Sequence, residues 1–281
     1  MRKLFYLIPA VVMVVSCSPN YNKIMGKAVK KAIGSDLSDY SIFSYPTDNF
    51  GLVTSYQGIV ADTTFICDMW NCIGVNNPPS SIDDWLKMSD LAGVGTGGSI
   101  DLTERQQQQI AANVILPKIY DIVGVNGGFK SNKTTQITIS IGKAYLRKLR
   151  KDAIIAKINS LDNSSALKKS YNTGSLVLII ADCVIDNMSV DVQVDSETAA
   201  NIDAKIGATS GTAVASKIFS DASLSVQVDK TTSGKYSFKV THPVVFARLA
   251  KHQPASGTLG ATNDFEDWVT VKPQTYRTKS R

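Results

Sequence analysis

Residues 176–194, LVLIIADCVIDNMSVDVQV, constrain this chain more than any other segment. The first part is apolar apart from Asp182 and Cys183, the pattern of a strand covered on both faces. The second part alternates Val190, Val192 and Val194 with Ser189, Asp191 and Gln193, the pattern of a strand with one face in water. A chain carrying both must build a sheet with a covered centre and a half-exposed flank. Residues 133–141 alternate in the same way, with Ile137, Ile139 and Ile141 against Gln136, Thr138 and Ser140. Leu224, Val226, Val228 and then Tyr236, Phe238, Val240 flank a turn from Lys230 to Gly234, which predicts a hairpin. Residues 40–43 and 52–60 predict two further strands about a turn at 46–51, and residues 243–250 form a last apolar stretch.

Helical signals lie between these strands. Thr103 is placed to cap a helix over 102–116, with Gln106 as its reciprocal partner, Glu104 at the positive end of the dipole, and Pro117 to kink or end it. Residues 18–34 begin as a tether. Ile24, Ala28 and Ile33, interleaved with Lys27, Lys30 and Lys31, then predict a short amphipathic helix with a basic face, stopped by Gly34. A weak helix is expected over 198–206, one helical turn carrying Trp85 over 82–88, and irregular chain over the rest of 67–100. A helix is also expected over 144–158. There Leu146, Leu149, Ala153 and Ile158 would make one apolar stripe, and Arg147, Lys148, Arg150 and Lys151 would fan over the remainder. A basic amphipathic helix suits an anionic lipid surface, and equally a core-packed helix with a solvated face. The expected architecture is α+β: one domain built on a mixed or mostly antiparallel twisted sheet with several flanking helices.

The N-terminus predicts an exported chain. Arg2 and Lys3 precede an uncharged apolar run from Leu4 to Val15, the length of a secretory signal core and short of the roughly 20 residues that span a bilayer. The run ends in Val14-Val15-Ser16-Cys17, which resembles the bacterial lipobox. That resemblance implies cleavage after residue 16 and a diacylglyceryl group, with further acylation, on Cys17. The organisation expected is therefore a signal peptide at 1–16, a lipidated tether at 17–35, a globular domain at 36–252 and a tail at 253–281. Ser18 in place of Asp, and the absence of acidic residues from 18 to 35, resemble outer-membrane lipoproteins facing the periplasm.

Charge and cysteine usage narrow the chemistry. A formal charge of +6, two units of which leave with Arg2 and Lys3, is too small to imply nucleic acid. Cys67 and Cys72 lie in CDMWNC and form a candidate disulfide in an oxidising compartment, while Cys183 reads as a buried small residue. Two histidines and no paired Cys-x-x-Cys motifs leave no metal site. Gly93-Val94-Gly95-Thr96-Gly97-Gly98 fits G-x-G-x-x-G, but WLKMSDLA before it is not the buried strand a dinucleotide site needs, so a glycine loop is expected and no cofactor. Hydrolase signatures are absent. His242 reads as a structural or surface residue. Asp182 and Asp186, evenly spaced, could share a face and there bind a cation or act as an acid/base pair, though a solvated strand face is the simpler reading.

In layout, residues 36–281 resemble bacterial gasdermins. The resemblance rests on DYSIFSYPTDNF near the start, on GSLVLIIADCVIDNMSVDVQVD, and on GKYSFKVTHPVVFARLAKH before the tail. It implies an α+β body with a twisted central sheet, an acylated cysteine near the N-terminus, strands that extend into pore hairpins, and an inhibitory C-terminal tail. The export signal departs from that family, which is cytoplasmic. Two functions are thus expected of the mature chain. One is a non-enzymatic envelope module, held to the membrane by Cys17, that binds a ligand or a protein partner. The other is a membrane-binding or pore-forming protein restrained by its tail.

Overall fold

The computed structural model describes residues 21–34, 37–48, 51–52, 55–59, 62–67, 91–95, 97–125, 134–207, 215–221, 224–252, 265 and 268–271. The chain begins with α1 (Tyr21–Ile33), β1 (Ser41–Thr47), β2 (Ser55–Ile59), β3 (Asp62–Cys67), β4 (Leu91–Val94) and β5 (Gly98–Ser99). A continuous helical run follows: α2 (Glu104–Ile110), a π-helical turn (Ala111–Ile115) and α3 (Leu116–Val123). Next come β6 (Thr134–Ile141), β7 (Lys143–Leu149), α4 (Lys151–Ser160), α5 (Ala166–Asn172), β8 (Leu176–Ile185), β9 (Asn187–Val194) and α6 (Ser196–Ile206). The last strands are β10 (Ser216–Ser220), β11 (Ser225–Thr232), β12 (Lys235–Thr241), β13 (Val244–Lys251) and β14 (Val269–Val271). The fold is α+β in a single domain, and every described ladder is antiparallel.

Two sheets share three polypeptide runs. The larger has β8 and β13 at its centre; β1 and β14 pair along the far edge of β13, while β2 and β7 divide the other edge of β8. β3 continues from β2, and β4 and β5 pair with β7. The smaller sheet has the order β10-β11-β12-β9-β6. β6 runs into β7, β9 follows β8, and β12 leads into β13. All three turn from one sheet to the other at the same level, around Gly142, Asp186 and His242-Pro243. Backbone bonds close this corner: Gly142 N–H to Asn187 O at 2.9 Å, Asp186 N–H to Lys143 O at 3.0 Å, and Ile185 N–H to Pro243 O at 2.9 Å. A Cβ at Gly142 would come within 3.2 Å of the Asn187 backbone, and His242 takes a left-handed φ of 50° to make the turn. This backbone role is what the sequence leaves at His242, whose side chain is exposed.

The helix expected over 144–158 is not formed. Residues 143–149 are strand β7, and the helix begins only at Lys151. The physical reason lies in β8. Its residues 181–185 are buried, and their backbone groups on that edge are paired by Ala144–Lys148. A helix at 143–149 would leave them unpaired in the interior. The apolar stripe is accordingly divided: Leu146 and Leu149 are buried from β7, while Ile154 and Ile158 are buried from α4.

The remaining local expectations are met in part. Thr103 caps α2 with the full reciprocal pair, its side chain accepting from Gln106 N and Gln106 Oε1 accepting from Thr103 N–H at 2.9 Å. Pro117 neither ends nor breaks the helix; the π turn precedes it and Pro117 falls in the first turn of α3, where its missing N–H does least harm. α1 ends at Gly34, φ +67°, as expected. β4 and β5 stand where irregular chain was expected; the turn at 82–88 with Trp85 lies outside the described residues, as do the signal peptide, Cys17 and Cys72.

The core has two main bodies on either side of the larger sheet. In one, α1, α2–α3 and α6 pack with the inner face of the smaller sheet and with Cys183, Ile185 and Phe246. In the other, Leu176, Leu178 and Ile180 of β8 pack with Ile154, Ile158, Leu167, Phe265 and Trp268.

Candidate functional site

The smaller sheet has two chemically distinct faces. Inward, Ile139, Met188, Val190, Val192, Val226, Val228, Tyr236, Phe238 and Val240 are all buried. Outward, the register aligns short polar rows: Thr138–Asp191–Ser237–Asp229–Ser216 in one, Ser140–Ser189–Lys239–Gln227–Ile218 in the next. No described helix crosses that outer face, and Gln136, Thr138, Ser140, Asp191 and Lys239 are exposed. Period-two alternation with a register pinned by long ladders puts every apolar residue of four strands on one side.

Helices α2, α3 and α6 cover the apolar face, and polar latches hold them there. The Tyr120 ring of α3 meets Phe238 edge-on at 5.8 Å. Burial pushes the Tyr120 hydroxyl up to about 12. Lys118 of α3 pairs with Asp221 in the β10–β11 connection and lies over the Tyr45 ring of β1. On α6, Asp203 is the centre: Lys230 Nζ reaches Oδ2 at 2.9 Å, and the Tyr236 hydroxyl donates to Oδ1 at 2.8 Å. Lys230 is 7% exposed and Tyr236 1%, while the Asp203 side chain keeps 21% of its surface, so the latch is partly buried. Burial, then the bond to Asp203, raises the Tyr236 hydroxyl well above its ordinary value. Asp195 caps α6 by accepting from Thr198 N–H at 2.8 Å.

A second polar centre lies in the larger sheet. Asp182 of β8 has no exposed surface. Arg147 of β7 donates to it through Nε at 2.8 Å and Nη2 at 2.7 Å, and the Leu52 N–H adds a third bond at 3.0 Å. The solvated acidic face expected for Asp182 and Asp186 is therefore corrected. Asp182 is a buried half of an ion pair, and Asp186 sits at the corner, accepting from the Tyr145 hydroxyl at 3.1 Å. Among the described residues no group of three His, Cys, Asp or Glu side chains is placed to hold a metal ion.

The four basic residues expected to share a helix face are dispersed. Arg147 points to Asp182, Lys148 is exposed on β7, Arg150 precedes α4 and bonds Asp152 through Nε at 3.2 Å, and Lys151 opens α4. Cys67 is the last residue of β3 and Cys72 lies outside the described residues, so the candidate bridge concerns a segment the structure does not describe. Cys183 is buried and free, its thiol pushed up to about 12 by burial. The glycine loop has a packing role. A Cβ on Gly98 would lie 1.8 Å from the Ala32 carbonyl oxygen of α1, and one on Gly97 would strike the Tyr145 ring. The close approach of α1 accounts for Gly98, and the Tyr145 ring accounts for Gly97.

The described part of the tail is docked. β14 pairs with β13 from Leu249↔Val271 to Lys251↔Val269. Trp268 is 4% and Phe265 8% exposed, while Val269 stays 43% exposed. Trp268 lies 4.9 Å from the His252 ring, which stacks on Tyr171 at 4.2 Å. The aromatic residues of the tail were legible in the sequence; the Tyr171–His252 platform that receives them was not, because the two lie in distant segments with no shared pattern.

No protein-family model matches the chain, and no curated protein sequence matches it. Among solved structures, the chain is similar to a bacterial gasdermin from Bradyrhizobium tropiciagri, with 10% sequence identity and a TM-score of 0.32 over 83% of this chain and 86% of that one.

Proposed function

We propose that this chain is a lipid-anchored envelope protein whose body permeabilises membranes in a gasdermin-like way and whose C-terminal tail restrains it. The observation that carries this reading is the two-faced smaller sheet. Strands that enter a bilayer must satisfy their backbone in a closed sheet, with one face apolar toward lipid and the other polar toward a lumen. The neighbouring strands β6, β9, β12 and β11 already have that division, with the apolar side covered by α2, α3 and α6, which would have to leave. Spanning takes about 9–11 residues per strand, so these strands would have to lengthen a little as the covers leave. Acylated Cys17, close before α1, would hold the body against the periplasmic side of the outer membrane. Two or more acyl chains give durable anchoring where one does not. The test compares dye release from anionic liposomes by the mature lipidated chain and by a form ending at His252. Greater release by the shortened form supports the reading; no more release than full length, with an intact circular dichroism spectrum, ends it.

A second reading, a non-enzymatic module that binds an envelope partner, is favoured by β10. It pairs only with β11 among the described residues and carries Ile218 at 67% exposure. An edge strand with an exposed apolar residue is a template for strand addition. A chain that leaks no dye in either form but retains a partner through β10 would fit this reading.

A further inference from the structure

Resting on the permeabilising reading, the geometry points to a passage that discriminates poorly between cationic and anionic solutes. The outward face of the smaller sheet would become the lumen wall. On the described strands that face carries two carboxylates, Asp191 and Asp229, and two ammonium groups, Lys235 and Lys239. The ladders place all four on one side: Asp191 and Asp229 both stand opposite Ser237, Lys239 opposite Ser189, and Lys235 opposite Gln193. The other lysines of these strands are directed elsewhere. Lys230 turns inward to Asp203, and Lys217 reaches the Lys205 carbonyl on α6 at 2.9 Å.

The charges are also interleaved. Lys239 Nζ lies 2.7 Å from Asp229 Oδ2, and Asp191 adds its own field at the same lysine. The rest of the face is Ser, Thr, Gln, Asn187 and one isoleucine; the polar ones present dipoles of both senses. Selectivity by charge in a pore comes from rings of one sign. Here repetition of the sheet around a ring would repeat ion pairs, whose fields cancel within a few ångströms. Screening at physiological salt, with a Debye length of about 8 Å, would remove what remains. The passage is thus suited to solutes of either charge, and its selectivity should be easy to create by unbalancing the pairs.

The experiment uses the mature lipidated chain, both full length and ending at residue 252, in liposomes loaded with cationic and anionic dyes of equal size. The buffer is about 10 mM in salt, where the Debye length is about 30 Å and wall charge is felt across a wide lumen. The unsubstituted sheet should release both dyes at rates within about twofold of each other. Lys235→Glu with Lys239→Glu should favour the cationic dye by on the order of tenfold, and Asp191→Asn with Asp229→Asn should favour the anionic one. All four residues are on the outer face, so the variants should keep the parent circular dichroism spectrum. Strong preference for one sign by the unsubstituted sheet, or an unchanged ratio in both folded double variants, would overturn the inference while leaving permeabilisation intact. Release of neither dye by the folded parent would instead overturn the permeabilising reading and the inference with it.

Discussion

Replacing Arg147 by Met should be among the most damaging single changes outside the apolar core. The substitution keeps much of the side-chain volume and removes two charge-assisted bonds, at 2.8 and 2.7 Å, from a carboxylate with 0% exposure. Asp182 would keep the Leu52 N–H, one neutral donor where there had been three. Removing one partner of a buried pair costs about 3–5 kcal/mol. The Arg147 side chain is 20% exposed, so water can enter its vacated path, and the lower end, about 3 kcal/mol, is expected. Against a typical total of about 5–15 kcal/mol this is a large share. Arg147→Met with Asp182→Leu removes the uncompensated charge and should cost no more than Arg147→Met alone, what remains being about 1–3 kcal/mol for the Leu52 N–H left without its acceptor. Asp182→Asn, which keeps an acceptor and leaves the guanidinium access to water, should cost about 1–2 kcal/mol. Urea unfolding followed by circular dichroism, analysed as a double-mutant cycle, should give a coupling of at least about 2 kcal/mol. A cost below about 1 kcal/mol for Arg147→Met would refute the claim that the pair offsets a buried charge.

Gly98→Ala should destabilise by about 3 kcal/mol or free α1 from β5, because the added methyl would lie 1.8 Å from the Ala32 carbonyl oxygen and backbone cannot yield as a side chain can; faster proteolysis within α1 is the readout. Trp268→Ala should remove about 3–5 kcal/mol of local packing and expose the tail to protease before the body unfolds, and equal protection of tail and body in the variant would count against docking. Tyr236→Phe should cost about 1–2 kcal/mol by stripping a donor from Asp203, with no change in the far-ultraviolet spectrum of the native state. Asp48 gives a pH prediction: burial, partly offset by the bond from Ser225 N–H, holds its carboxyl above the ordinary value of 3.8. A raised folded value means that the protonated form favours folding. This contribution is therefore present at low pH and is lost as pH rises from 3.8 through the folded value. Asp48→Asn should flatten that interval of the stability profile and leave the protein at least as stable at neutral pH; an unaltered profile would show that Asp48 is not the group responsible.

The sequence by itself determined whatever depends on local pattern. Alternation at 186–194, 133–141 and 224–240 located four strands and the face each would bury, because a period of two allows only one assignment of faces. The capping pair Thr103–Gln106 and the stop at Gly34 were readable because they are satisfied within one turn of chain. The α+β class and the central place of residues 176–185 followed from the same signals. What pairs with what was decided only by the tertiary structure. KAYLRKLRK carries an apolar spacing compatible with a helix, and nothing within it reveals that β8 needs a partner along that edge. The buried edge of 181–185 makes it a strand, and that choice turns Arg147 from one cation in a basic stripe into the counter-ion of Asp182. Asp182 and Asp186 show the same division. Their spacing was visible, but burial is a property of the strands on either side, so the sequence could not separate a solvated carboxylate from one fully enclosed. The corner at Gly142, Asp186 and His242 joins residues a hundred positions apart, held by backbone bonds that any side chains could flank; it is this long-range closure, invisible in local composition, that splits three continuous strand runs into two sheets.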